Sequence, residues 1–143
     1  MNTEYPERVK MKWQGGDTLS YEDLGVKITL GECCENPAPG EGFPPLRLVL
    51  GALGGCTGMD VLQMLEKMRI KLEDFHIEVK GRRVTSPPRV FKQVEIVYKF
   101  KGKNLDEESL KRAIDLSLNK YCPVAAMVSR TGKIKYRIVI NEV

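Results

Sequence analysis

The sequence predicts an α+β fold, with antiparallel sheets around one long central helix. Two observations carry the prediction. A helix running from about Pro45 to Arg69 is apolar on nearly every side, the pattern of a buried element that others wrap. The elements follow in the order three strands, long helix, two strands, helix pair, strand, so strands and helices are segregated instead of alternating.

The chain opens with strand-like alternation over Val9-Lys10-Met11-Lys12-Trp13, then turns at Gln14-Gly15-Gly16-Asp17. Thr18 to Tyr21 and Gly25 to Leu30 are the next two strands, which complete an antiparallel meander. Gly31 to Pro45 is a loop, because Pro37, Pro39, Pro44 and Pro45 each fix φ and remove an amide donor. Pro44 and Pro45 suit the first turn of a helix, where the missing donor costs nothing. At ~1.5 Å per residue the long helix spans roughly 37 Å. Polar residues return at Glu66-Lys67-Met68-Arg69, where its end meets solvent.

Two strands follow, Phe75 to Gly81 and Val94 to Phe100, separated by a turn around Ser86-Pro87-Pro88. Asn104-Leu105-Asp106 opens a second helix, capped by Asn104 or Asp106, with Glu107 and Glu108 near the positive end of its dipole. Leu110, Ala113, Ile114, Leu116 and Leu118 form its core face. Cys122-Pro123 breaks that helix and starts a short one, since proline suits a first helical position. Lys133 to Ile140 is the closing strand.

Residues 1–143 fit a single domain of ordinary size. The apolar share of 42% and charged share of 29% mark a soluble globular class. The net charge of +4 is scattered among nearly as many acids, without the dense basic stripe a nucleic-acid partner needs. The first residues lack the pattern of a signal peptide. Leu46 to Leu65 comes closest to a membrane span, but Arg47, Asp60 and four glycines interrupt it, so no membrane association is expected. The expected location is cytoplasmic, where four cysteines are more often reduced, catalytic or metal-binding than paired in structural disulfides.

Gly51, Gly54, Gly55 and Gly58 lie inside the predicted long helix, and each costs about 1 kcal/mol relative to alanine. Their spacing sets them along one side, smooth enough for close approach by another element of this chain or by the same helix of a second subunit. The competing reading makes them a loop between two shorter helices.

Cys56 sits among these glycines and Cys122 follows the helix break. Both suit inert buried thiols, because free cysteine is among the most buried residue types. Both also suit redox chemistry, in which a reachable thiolate attacks a peroxide and a second thiol condenses with the sulfenic acid formed. A helix N-terminus would lower the pKa of Cys122. Cys56, mid-helix, would need a cation, and Asp60 one turn on would oppose its ionisation. Cys33-Cys34 is either two ordinary loop cysteines or part of a metal or thiol sensor. With one histidine, His76, on the polar side of a strand, and no C-x-x-C, no metal site is predicted.

The segment Leu48-Val49-Leu50-Gly51-Ala52-Leu53-Gly54-Gly55-Cys56-Thr57-Gly58-Met59-Asp60-Val61 resembles the central-helix motif of the OsmC/Ohr family, close to L-x-x-L-G-G-C-T-x-x-D-V in its OsmC-like branch. Tyr121-Cys122-Pro123-Val124 resembles the second-cysteine motif of that family. The resemblance implies an OsmC-like intertwined homodimer, with the two long helices packed centrally and two active sites at the subunit interface. It implies reduction of organic hydroperoxides in oxidative-stress defence, with Cys56 as the peroxidatic and Cys122 as the resolving thiol. It further implies a Cys56–Cys122 disulfide, re-reduction by a dithiol, and no metal or flavin cofactor. It also implies an arginine from the N-terminal strands paired with a glutamate near the start of the long helix. Gly15 to Gly31 contains no arginine, and Pro45-Leu46-Arg47-Leu48 carries a cation where the acid is expected. The alternative is a non-enzymatic protein of the same fold that binds a small ligand.

Overall fold

The computed structural model describes residues 4–31 and 42–142. The chain divides into two compact units, Met1–Val49 and Leu50–Val143. In the first, β1 (Lys12–Gly15), β2 (Thr18–Asp23) and β3 (Val26–Gly31) form an antiparallel meander in that order. The two hairpins turn on backbone with positive φ, at Gly15 and Gly16 and at Leu24 and Gly25. Glycine adopts that conformation without strain, so three of the four positions match their residue. β1 starts at Lys12, not at Val9, because only the residues nearest the turn find partners on β2. Phe43 extends the unit by one isolated bridge, its N–H donating to the Thr29 carbonyl at 2.8 Å. Most of the predicted proline-rich loop, with Cys33 and Cys34, lies outside the described residues. Trp13, Leu19, Val26 and Phe43 are exposed apolar side chains in this unit.

α1 (Pro45–Lys67) is one unbroken helix, so the glycines do not split it into two shorter ones. It ends in a Schellman arrangement. Ile70 N–H donates to the Leu65 carbonyl and Arg69 N–H to the Glu66 carbonyl, both at 2.9 Å, with Arg69 at φ 59° where glycine is usual. By length and by a mean hydropathy of 1.5, α1 could cross a membrane, as the core helix of a soluble fold also could.

The second unit is built on the sheet β4 (Asp74–Arg83), β5 (Phe91–Lys101) and β6 (Lys133–Ile140). β4 and β5 pair antiparallel; β5 and β6 pair parallel. The departure from the expected antiparallel pattern has a simple cause: the helical segment between β5 and β6 is long enough to act as a crossover. β5 is the central strand, and Val94, Ile96, Val97, Tyr98 and Phe100 are all buried, which is why its alternation is weak in the sequence. Gly54 and Gly58 let α1 lie close on β4. A Cβ at Gly54 would stand 3.0 Å from Val79 Cγ2, and one at Gly58 would stand 2.8 Å from Ile77 Cδ1. Leu53, Thr57, Val61 and Leu65 complete the buried face.

The opposite face of α1 is open among the described residues of the second unit. Gly51 and Gly55 have nothing within 4 Å among the described residues, and Met59 is 62% exposed. The expectation of a helix buried all round is corrected within the second unit: among its described residues, β4 covers one side of α1 and the other side leaves Met59 and Leu62 exposed. Asp106 stands at the N-cap position of α2 (Glu107–Leu116), but its carboxylate accepts from Ser109 Oγ at 2.7 Å and makes no side-chain cap bond; α2 buries Leu110, Ala113 and Ile114, while Leu116 and, just beyond it, Leu118 are half-buried. A π-helical turn, Ser117–Tyr121, leads into α3 (Pro123–Val128).

Candidate active site

α1 carries Cys56, half-buried, with Thr57 beside it facing the core. The second cysteine arrives by way of the π-helical turn. Cys122 N–H reaches back five residues to the Ser117 carbonyl at 2.7 Å, the bond that defines such a turn. Cys122 then takes extended backbone geometry and caps α3, with Pro123 in the first helical turn. Its Sγ accepts from Ala125 N–H at 3.3 Å. Cys122 is 3% exposed.

Burial pushes the Cys122 thiol up to about 11, against which the Ala125 and Val124 N–H groups act in the opposite sense. The neighbouring Cys56 side chain adds to the rise, the more so when it carries negative charge. Two conclusions follow. The fold brings the two cysteine side chains together from distant parts of the sequence, both as free thiols. And the expectation of a lowered pKa at Cys122 is corrected, because loss of water outweighs the N–H groups of a six-residue helix.

Beside the pair runs a buried chain of hydroxyls. Thr57 Oγ1 stands 2.8 Å from Tyr98 Oη and 2.8 Å from Ser117 Oγ, and Ser117 Oγ donates to Asp60 Oδ2 at 2.9 Å. Each hydroxyl has one proton, which fixes the direction of the whole chain. Ser117 gives its proton to the carboxylate, so Thr57 donates to Ser117, and Tyr98 donates to Thr57. Thr57, Tyr98 and Ser117 are each 0% exposed. Burial pushes the Tyr98 phenol up, and negative charge on Cys122 or Asp60 would add to that, while the Thr57 hydroxyl acts against it. Tyr136 crosses Tyr98 edge to face, with ring centroids 6.0 Å apart, and donates to Asp115 Oδ1 at 2.7 Å.

These hydroxyl groups did not stand out in the sequence, yet each left a signal. Thr57 lies at the spacing of Leu53 and Val61, Ser117 at the spacing of Leu110 and Ala113, and Tyr98 at that of Ile96 and Phe100. Each is a polar group at a core-face position, which must find a partner there. His76 faces solvent as expected and pairs with Asp74 at 2.9 Å. Arg47 lies in the first turn of α1, which holds no acid.

An α+β chain with one cysteine on its long helix and a second, nearby, at the cap of a short helix has the organisation of an OsmC-type protein. Residues 38–137 match the family described as OsmC-like protein, and the chain belongs to that family. It is 31% identical to protein YhfA of Escherichia coli strain K12 over 130 residues, which is 90% of this chain and 94% of that one. Among solved structures, a hypothetical protein from Aquifex aeolicus VF5 matches with a TM-score of 0.80 and 32% identity, covering 94% of this chain and 97% of that one. The organic hydroperoxide resistance protein OhrB of Bacillus subtilis shares the fold at a TM-score of 0.68 and 17% identity, over 92% of this chain and 98% of that one.

Proposed function

We propose that this protein reduces organic hydroperoxides with Cys56 as the peroxidatic thiol and Cys122 as the resolving thiol. The observation that supports the reading is the nearness of these two side chains, close enough for Cys56 to bear on the Cys122 thiol. Cys56 is half-buried and so partly open to a peroxide, while Cys122 is enclosed and neutral at ordinary pH. The Cys56 thiolate attacks one oxygen of ROOH, the O–O bond breaks, and RO⁻ takes a proton to leave as ROH. Cys56 is then a sulfenic acid. The Cys122 sulfur attacks it, the S–O bond breaks, and the Cys122 proton goes to the departing hydroxide to form water. A dithiol reduces the resulting disulfide and is itself oxidised.

Two features support a homodimer as the working form. The open face of α1 exposes Val49, Met59 and Leu62, and the three-stranded sheet exposes Trp13, Leu19 and Val26. Among the described residues each of these elements exposes apolar side chains, as expected where a second copy packs. Free thiols working by reversible oxidation fit a cytoplasmic location, where dithiol reductants are plentiful. A non-enzymatic ligand-binding role is favoured by one observation: the first turn of α1 has no acid and residues 15–31 have no arginine. Treating reduced protein with a small excess of an organic hydroperoxide, then mapping disulfides by mass spectrometry, separates the two. Peroxide loss with a Cys56–Cys122 bond supports the enzyme; unreacted Cys56 supports the binder.

A further inference from the structure

We propose that Ser117 is the positioning residue of the disulfide-forming step, an assignment that rests on the two-cysteine reading. Ser117 holds both cysteine-bearing elements at once. Through its main chain it holds the resolving side, since its carbonyl accepts the Cys122 N–H at 2.7 Å. Through its side chain it holds the peroxidatic side, since Oγ donates to Asp60 at 2.9 Å and accepts from Thr57 at 2.8 Å. Thr57 adjoins Cys56 in sequence, and Asp60 lies one turn further along α1. One fully buried residue therefore ties the turn that delivers Cys122 to the helical turn that presents Cys56.

The π-helical geometry is what makes this possible. In a regular α-helix the Cys122 N–H would bond Leu118; here it bonds Ser117, whose side chain already points into the buried chain. The position of the Cys122 backbone is thus set by the same residue that engages α1. Bond formation brings the sulfurs to about 2.05 Å of each other, with a defined dihedral. Loosening that register slows sulfur–sulfur attack far more than the first attack on peroxide, which needs no approach by Cys122. A sulfenic acid left waiting is open to further oxidation.

The test separates the two steps. Wild type, Ser117→Ala and Ser117→Thr are mixed with one equivalent of hydroperoxide. Sulfenic acid is trapped with a dione and disulfide is followed by quenched-flow mass spectrometry. In Ser117→Ala, peroxide loss in the first turnover slows far less than disulfide formation does. Disulfide formation slows about ten- to a hundredfold, the range a misplacement of about 1 Å produces, and sulfinic acid accumulates on Cys56. Ser117→Thr, which keeps the hydroxyl, restores resolution. Thr57→Val gives the same split more weakly, and serves if Ser117→Ala fails to fold. Wild-type resolution in both Ser117→Ala and Thr57→Val overturns the assignment. A wild-type protein that forms no Cys56–Cys122 disulfide with peroxide overturns the two-cysteine reading itself, and the Ser117 role with it.

Discussion

Replacing Thr57 by valine changes little in volume but removes the central hydroxyl of a buried chain. Because the Asp60 carboxylate fixes the proton direction, the cost is unequal along the chain. In Thr57→Val the fully buried Tyr98 O–H loses its acceptor, and Ser117 loses a donor but keeps its bond to Asp60. An orphaned buried donor costs about 1–3 kcal/mol and the second lost bond about 1 kcal/mol, so the total is about 2–4 kcal/mol. Tyr98→Phe removes the terminal donor instead. Thr57 still donates to Ser117, nothing is orphaned, and the cost is about 1 kcal/mol. With a urea slope of about 2 kcal/mol per molar, the midpoint falls by about 1–2 M in Thr57→Val and by about 0.5 M in Tyr98→Phe. In the Tyr98→Phe background, Thr57→Val costs less than it does alone, because the donor it would orphan is already gone. Urea titrations at one fixed protein concentration measure this, since assembly would add a concentration-dependent contribution. Equal costs for the two single variants, or a larger cost for Tyr98→Phe, would refute the proton order.

Two further outcomes follow from the same geometry. The Cys122 thiol, ordinarily near 9, stands at about 11 in the fold. Above pH 9 the unfolded chain gives up a proton that the folded chain keeps, so stability falls as pH rises. The loss is about 1.4 kcal/mol between pH 8 and 10, and Cys122→Ala removes most of that slope. Tyr98 and Tyr136, also pushed up by burial, contribute only at higher pH. Urea midpoints collected from pH 7.5 to 10 check the sign and the size. On the open face of α1, Met59→Glu combined with Leu62→Glu is expected to convert a dimer into a monomer in sedimentation velocity. A wild-type protein that already sediments as a monomer at tens of micromolar would remove the dimer from the account.

Much of the fold is legible in the sequence because local signals and tertiary packing agree. Lys133 to Ile140, the α2 residues Leu110, Ala113 and Ile114, and the Cys122-Pro123 start of α3 fall where periodicity and proline chemistry place them. The parallel β5–β6 pairing is not legible, because periodicity reports a strand and not its partner. The open side of α1 is hidden for a related reason. Hydropathy shows that Met59 and Leu62 avoid water, yet it does not say whether the same chain covers them. At the site, the two cysteines stand out through their motifs. The Thr57–Ser117–Asp60 tie does not, since it depends on a π-helical turn that shifts a register by one residue. The direction of the Cys122 pKa is misread from sequence because its position at a helix start is visible there and its burial is not.

In the function proposed above, Cys56 and Cys122 form a redox pair. The most direct measurement exposes reduced wild type, Cys56→Ser and Cys122→Ser to a small excess of organic hydroperoxide, following peroxide loss and thiol state by mass spectrometry. A Cys56–Cys122 disulfide is expected in wild type, with no peroxide loss in Cys56→Ser. In Cys122→Ser a single turnover is expected, stopping at sulfenic acid on Cys56. Wild-type protein that leaves both the peroxide and the Cys56 thiol intact would rule out the redox pair.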